Sequence, residues 1–304
     1  MKKKIIIFII LVCIVGGIFV KILGIYRIKE LILQSPIPDL YIKYIRREKV
    51  FDPDHVITSL DNGMPIIVNK HDRCVCWFIR LLGHWDSNET RVLEHIIKKG
   101  FKVIEVGANF GVHTLKMAQI VGEKGKIYAF EANPMVSKYL IQSIKINNLN
   151  GVVTLFEKAA GDIPGQSFLD FGIKNIGGGH LVDSGSSSSV KTEIVRLDDV
   201  IEEEHIDILK MDAEGFELKI LKGSKSIIDK NIDHIIIMME FIPTHLENQK
   251  SDPRELVKLL KSYGFNLWKV GKKSLGEQIL VPITYDDLFN LSVADILASR
   301  KSLL

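Results

Sequence analysis

The segment "KVIEVGANFGVHT", residues 102–114, carries an apolar run into two glycines, Gly107 and Gly111, and then into a helical pattern. In an open α/β sheet the ligand lies beyond the carboxyl ends of the strands, where strand order switches, and the first strand-to-helix turn marks that place. Glycine in such a turn permits a positive φ and leaves no Cβ between backbone and ligand. A tight turn with no ligand would use the same two glycines, so the surrounding sequence has to separate the two.

Outward from this turn the chain alternates. Strand patterns fall at 103–107, 126–131, 152–156, 206–211 and 235–241, and helical patterns at 111–121, 134–146, 214–229 and 252–263. Runs such as "IIIMMEF" are apolar on both faces, as strands covered by helices on both sides require. The alternation predicts an α/β fold with a doubly wound, mostly parallel sheet. "FNLWKV" and "GEQILVPITY" flank "GKKSLG" and predict a terminal antiparallel hairpin. Upstream, "VITSLDNGMPIIV" predicts a hairpin around Asp61-Asn62-Gly63, and "DSNETRVLEHIIKKG" a helix capped by Ser87 and stopped at Gly100. Residues 171–195 hold three consecutive glycines and four consecutive serines, a composition that predicts a mobile loop.

The 304 residues are 46% apolar with a net charge of +3, too little to argue for nucleic acid as a partner. Basic residues gather before position 50 and point to a membrane surface instead. After Lys2, Lys3 and Lys4, the stretch from Ile5 to Val20 carries no charge. Continued to Tyr26 it makes roughly 33 Å of helix, matching a bilayer core of about 30 Å. No small-residue cleavage site follows, so an uncleaved single-pass anchor is expected rather than a signal peptide. The expected organisation is a basic terminus (1–4), a transmembrane anchor (5–26), a basic juxtamembrane connector (27–50) and one domain (51–304). Basic residues flank the span on both sides, and charge alone leaves its orientation tied. Three cysteines make no disulfide framework. Cys74 and Cys76 would share one face of a strand as reduced core thiols, with no further metal ligands nearby.

Three residues speak to the ligand. Glu131, in "YAFEANP", ends the second strand, where a carboxylate grips two ribose hydroxyls by accepting both protons. Glu105 lies inside the first strand, where a lone buried carboxylate is costly unless it faces donors or a cation. Asn109, midway through the turn, can both donate and accept. A dinucleotide prefers G-x-G-x-x-G, and here Asn109 and Val112 stand where its second and third glycines would be. The pattern suits a nucleoside without phosphates, and S-adenosylmethionine, with ribose, adenine and a zwitterionic tail, meets those demands.

"EVGANFGVHT", "YAFEANP", "LDDVIEEEHIDILKMDAEGFE" and "IIIMMEF", in this order and spacing, resemble the FkbM family of S-adenosylmethionine-dependent methyltransferases. The likeness runs over about residues 60–300, with "GHWD" and "TYDDLFNLSVADILASR" included. The resemblance implies a class I methyltransferase fold with a seven-stranded sheet, and O-methylation of a sugar or another hydroxyl-bearing metabolite. It also implies that Glu105, Gly107, Asn109, Gly111 and Thr114 line the methionine end of the cofactor. Glu131 would hold the ribose, with Ala132 and Asn133 beside it, and Ala160 and Asp162 would reach the adenine. Many relatives carry Asp where this chain has Glu105; His113 is untypical and takes no assigned role.

Methyl transfer is an in-line displacement at a sulfonium, so catalysis rests on positioning and on a base for the acceptor hydroxyl. "LKMDAEGFE" brings Asp212 to the end of the fourth strand, then Glu214 and Glu217 to the opening of the next helix; Glu240 ends the fifth strand. Lys210 points the same way as Asp212 on an extended strand. Asp212 or Glu214 could be the general base; alternatively Asp212, Glu214 and Glu240 could hold a Mg²⁺-like divalent cation. Glu217 reads as an acid favouring a helix N-terminus, and His180 as a solvated loop histidine. His245 follows Glu240 closely.

The expected protein is a membrane-anchored methyltransferase acting on a glycan, glycolipid precursor or other small-molecule acceptor. S-adenosylmethionine is a cytosolic metabolite, which places the catalytic domain on the cytosolic side. Two other readings stand beside this one. An NAD-type oxidoreductase would need a pyrophosphate-binding turn that Asn109 argues against. A non-catalytic membrane-anchored scaffold would be expected to lose its acids, whereas Glu131, Asp212, Glu214 and Glu240 are all present.

Overall fold

The computed structural model describes residues 40–42, 46, 48–172, 175–186, 189–272 and 276–304. The expected anchor at 5–26 and most of the connector lie outside them. Among the described residues no helix is long and apolar enough to cross a membrane.

From Lys49 the described chain forms an antiparallel sheet of β1 (Lys49–Val50), β2 (His55–Ser59) and β3 (Pro65–Asn69), followed by α1 (Val75–Leu82) and α2 (Ser87–Ile96). Alternation then sets in: β4 (Lys102–Val106), α3 (Val112–Val121), β5 (Lys126–Phe130), α4 (Pro134–Ile146) and β6 (Val153–Phe156). Four further strands form a sheet of their own: β7 (Ala159–Ala160), β8 (Gly165–Gly172), β9 (Asn175–Val182) and β10 (Val190–Val195). After α5 (Leu197–Val200) come β11 (Ile208–Met211), α6 (Glu217–Gly223), α7 (Lys225–Asn231), β12 (Ile236–Phe241), α8 (Pro243–Asn248) and α9 (Pro253–Ser262). The chain ends with β13 (Asn266–Val270), β14 (Leu280–Ile283), α10 (Tyr285–Leu288) and β15 (Ala294–Ser299).

The main sheet has eight strands in the order β14-β13-β15-β12-β11-β4-β5-β6, one more than the seven expected. The extra edge strand is β14, the second arm of the predicted terminal hairpin, paired antiparallel with β13. Strands β12, β11, β4, β5 and β6 run parallel, and β15 inserts antiparallel between β12 and β13. The chain leaves β4 toward β5 and β6, then returns to place β11 on the other side of β4. The switch in strand order therefore falls between β4 and β11.

Alternate residues of each strand feed opposite faces. Val103, Ile208, Ile236 and Met238 join one apolar cluster with α2, α3 and α4. Ile104, Leu209, Ile237 and Met239 join the other, with α6, α7 and α9. Ile104, Ile127, Leu209 and Ile237 are 0% exposed. That explains why these strands are apolar on both faces.

Four expectations are corrected. Residues 171–195 are largely strand: β9 pairs with β8, and β8 with β10. Antiparallel pairing satisfies the backbone without apolar side chains, so a glycine and serine composition did not exclude it. The helix expected at 214–229 is two helices meeting at Ser224, whose hydroxyl donates back to the Ile220 carbonyl (2.8 Å). The Asp198 carboxylate then accepts the Ser226 and Ile227 amides, each at 3.0 Å, and starts α7 afresh. Cys74 and Cys76 lie at the start of α1, not on a strand, because the Asp72 carboxylate accepts both their amides at 3.0 Å and turns the chain into a helix. Helix α2 is capped by Asp86 rather than Ser87.

Candidate active site

The turn after β4 is held by its neighbours. Gly107 has φ +85°, and a Cβ there would sit 1.9 Å from the Asp212 carbonyl oxygen. The ends of β4 and β11 converge at that point, with the Asp212 amide donating to the Val106 carbonyl (3.0 Å). Asn109 adopts φ +52° and donates its amide to Glu131 Oε2 at 2.6 Å. The Asn133 amide donates to Glu131 Oε1 at 2.8 Å, while its own side chain caps α4. Both oxygens of Glu131 are thus fixed by the turns that follow β4 and β5. Gly111 serves a packing role: it caps α3 at φ +92°, and a Cβ would meet Leu140 Cδ1 at 2.3 Å.

Strand β9 is drawn down over this turn. The Asn109 side chain donates to the Gly177 carbonyl (3.1 Å), the Asn133 side chain to the Ile176 carbonyl (2.9 Å), and the Ile176 amide to Asp72 (2.9 Å). A Cβ on Gly177 would lie 2.4 Å from Asn109 Oδ1, so glycine lets the strand approach so closely.

A cavity opens at the carboxyl ends of β4, β5, β11 and β12. Gly107, Asn109, Glu131, Ala132, Asn133 and Ala160 form one side, Asp212, Glu214, Phe216, Glu240 and Asp295 another. Trp85, Asp86 and Glu89 close a third side, and Gly177, Gly178 and Gly179 of β9 form the cover. Of the residues expected to bind or react, nine reach this wall. Glu105, Thr114 and Lys210 lie beneath it and Gly111 behind it. Asp162 lines a neighbouring groove together with His180, Lys219, His245, Gln249 and Lys250. Glu214, Phe216 and Leu181 border both spaces.

Lys210 does not face the cavity, contrary to its expected catalytic placement. It is 1% exposed, 3.1 Å from Glu89 and 3.9 Å from Glu105. Burial alone would push its ammonium down, but Glu89, Glu105 and Asp212 together hold it well above its ordinary value. Burial raises Glu105 to about 7 against the pull of Lys210 and of Thr114, whose hydroxyl donates to it at 2.5 Å. Glu89 also meets His113 Nδ1 at 3.3 Å, and burial with Lys210 nearby keeps that histidine neutral. Glu217 is buried and accepts the Ala213 (3.1 Å) and Gly215 (3.4 Å) amides, the helix-terminal role read from sequence.

The wall itself is short of positive charge. Among the described residues seven carboxylates line it, with Lys158 as the one lysine or arginine, and Lys158 is paired outward with Glu193 at 2.9 Å. Burial, then Asp212, Glu214 and Asp295, push Glu240 up to about 9. Burial likewise raises Asp212, Glu214 and Asp295, and lifts Glu131 to about 7 despite its two amide donors. Carboxylates gathered this way favour a bound cation.

The backbone is strained at the same place. Among the described residues five non-glycines have positive φ, and three of them, Asp86, Asn109 and Glu214, line this cavity. Gly215 packs against the His245 carbonyl, where a Cβ would come within 2.2 Å. That contact helps bring His245 Nδ1 to 3.1 Å from Glu214. Asp86, Glu89 and Asp295 were not singled out from sequence. Only "GHWD" hinted at the first; Glu89 sits in an ordinary polar helix start, and Asp295 is the one acid in the otherwise apolar start of β15.

Residues 105–267, more than half of the chain, match the family model of the methyltransferase FkbM domain. Methyltransferase sdnD of Sordaria araneosa is 32% identical over 154 residues, 40% of this chain. The chain spans 59% of that relative's length. Hexuronic acid methyltransferase AglP of Haloferax volcanii is 25% identical over 187 residues, 60% of this chain and 71% of its own. The crystal structure of a SAM-dependent methyltransferase from Aquifex aeolicus aligns with 70% of this chain and 88% of its own, at 14% identity and a TM-score of 0.40.

Proposed function

The chain belongs to the FkbM methyltransferase family, and from that premise we propose that it transfers the methyl group of S-adenosylmethionine to a sugar hydroxyl. The observation that carries this reading is Glu131. Each of its oxygens accepts one backbone amide, from Asn133 or Asn109, and keeps a second lone pair for a ligand hydroxyl. A pair of adjacent ribose hydroxyls would be held there, with Gly107, Asn109, Asn133 and Ala160 sharing the wall.

S-adenosylmethionine, when bound, supplies an electrophilic methyl group on a positively charged sulfur. An acid-rich wall suits that cation and repels a pyrophosphate, which disfavours the oxidoreductase reading. Glu214 borders both the cavity and the groove beside it, which Asp212 and Glu240 do not. It is the residue to take the acceptor's proton, with His245 against it. Lys219 and His180 give the groove donors for hydroxyls and for an acidic sugar, the acceptor class that AglP's name carries, while Lys250 is paired with Asp183 on the same wall. A span at 5–26 would tether the domain to a membrane from the cytosolic side, beside a lipid-linked acceptor; this part rests on sequence alone.

A second reading adds a divalent cation. Glu214, Glu240 and His245 offer ligand atoms within 4.8 Å of one another. An ion there would stabilise the acceptor's alkoxide. Loss of transfer on chelation, restored by Mg²⁺ or Mn²⁺, is the expected result; transfer unaffected by chelator removes the ion from the mechanism.

The test begins with calorimetric titration of wild type and Glu131→Ala with S-adenosylmethionine and, separately, NADH. Micromolar binding of S-adenosylmethionine that the substitution abolishes is expected. Radiolabelled methyl transfer to uronic-acid-containing oligosaccharides then follows, with Glu214→Gln as the slow variant. No heat with either ligand from folded protein would sink the enzyme reading and favour the scaffold.

A further inference from the structure

The methyltransferase reading uses the carboxyl ends of the parallel strands. At their opposite ends, where β11 and β12 begin, two histidines and an aspartate meet. His205 Nε2 lies 3.1 Å from Asp207 Oδ1. The imidazoles of His205 and His234 stack with centroids 4.5 Å apart and planes 12° from parallel. One ligand atom from each of the three residues lies within 4.8 Å of the other two.

That spacing is close to what a metal ion needs. Some point lies within about 2.8 Å of all three atoms, less than about 1 Å beyond the 2.0–2.2 Å of imidazole and carboxylate ligands, and the two stacked rings have to turn out of their stack so that their in-plane lone pairs converge on it. The backbone carrying the three groups is fixed on both sides. The Asp207 amide donates to the Lys102 carbonyl and its carbonyl accepts from the Ile236 amide, each at 2.9 Å. Asn231 ties the two segments together, accepting the Ile206 amide (3.1 Å) and donating to the Glu204 carbonyl (3.0 Å).

Two details separate this cluster from an incidental surface group. Asp207 Oδ2 accepts the Lys102 amide at 2.8 Å, which fixes the carboxylate plane and leaves Oδ1 on the histidine side. Metal-binding carboxylates are commonly oriented by such a second hydrogen bond. His234 Nε2 is buried and has no hydrogen-bond partner. A buried unsatisfied nitrogen is uncommon and calls for a ligand. Burial and the neighbouring His205 lower His234, which leaves it in the neutral form that ligates.

We propose that His205, Asp207 and His234 form a site for a divalent transition metal of the zinc type, with its remaining position open to water. The ion would cross-link the starts of β11 and β12. It has no part in methyl transfer, since the cavity lies at the other end of the sheet.

The test uses the untagged full chain, stripped with chelator and titrated with Co²⁺ alone. Cobalt held by two imidazoles and a carboxylate at low coordination number absorbs visible light far more strongly, and at longer wavelength, than the weakly absorbing hydrated ion. Wild type should develop this band to saturation, with higher thermal stability when loaded. His205→Asn and His234→Asn should each weaken cobalt binding at least tenfold and remove the band, while Glu240→Gln leaves it unchanged. His205 is largely exposed, so its substitution tests the site even if His234→Asn fails to fold. No cobalt band in wild type would overturn the proposal. So would a band that survives His205→Asn, or one that disappears with Glu240→Gln.

Discussion

Replacing Lys210 by methionine keeps the length and apolar stem of the side chain and removes only its ammonium. Glu89 and Glu105, at 3.1 and 3.9 Å, are then left in the interior without their cation. Removing one partner of a buried ion pair costs about 3–5 kcal/mol. For a domain of this size each kcal/mol lowers the melting temperature by about 2–4 °C, so a fall of about 6–20 °C is expected near pH 8. The sign with pH follows from Glu105, whose folded-state pKa is raised from 4.5 to about 7. A carboxyl raised in this way gives stability that is fully present below its unfolded value and is lost as pH rises through the folded one. Lys210 is the largest of the influences that pull this carboxyl back down. Without it the folded value climbs further, and the loss deepens above pH 7. Calorimetric melting at pH 5 and pH 8 should therefore show a deficit already at the lower pH, from the nearer Glu89, that grows at the higher as Glu105 ionises. A fall of less than about 3 °C at pH 8, or an equal fall at both, would refute Lys210 as the charge that holds the floor of the cavity.

Three further outcomes test the site. Glu131→Gln cannot accept both turn amides and loses its charge; S-adenosylmethionine affinity should drop roughly tenfold to a hundredfold by calorimetry, since hydrogen bonds to charged groups are worth about 1.5–3 kcal/mol. Unchanged affinity would contradict the ribose assignment. Gly177→Ala forces a Cβ against Asn109 and should weaken the cofactor about tenfold, roughly one hydrogen bond's net worth with some added strain. Gly165→Ala, where a Cβ meets nothing, is the control, and equal effects at both would show that β9 does not cover the site. Glu240, raised from 4.5 to about 9, is protonated at neutral pH and ionises as pH rises, so a cationic ligand should bind more tightly from pH 6 to 9. Glu240→Gln should flatten that rise, and binding that weakens with pH in wild type would reverse the electrostatic argument.

The strands and most helices were legible because their apolar patterns answer to one condition, burial on both faces of a sheet. Strands predicted at 103–107, 126–131 and 235–241 form within a residue of those bounds, and the helix predicted at 134–146 forms at those bounds. What escaped was set by contacts distant in sequence. The break at Ser224 depends on Asp198 capping the second helix from 28 residues away. The β8–β10 sheet depends on pairing in glycine- and serine-rich chain that has no apolar signature.

In the candidate site, the turn glycines and Glu131 were readable, yet the reason for Gly107 was only half so. The close approach it permits is first to the Asp212 carbonyl and only then to a ligand. Lys210 was misjudged because alternation along a strand says which face a side chain takes, not how deep that face lies. Its neighbour on that face is Glu89, which comes from a helix some 120 residues earlier. The excess of carboxylate over ammonium likewise appears only once Asp86, Glu89 and Asp295 join Glu131, Asp212, Glu214 and Glu240 around one cavity. No stretch of the chain is acidic enough to announce it, and the net charge is +3. That excess is also what separates the surviving readings: a scaffold has no use for so many carboxylates around one cavity, and the pyrophosphate of a dinucleotide would be repelled by those that are ionised. A ligand that brings its own positive charge to the reacting centre needs them.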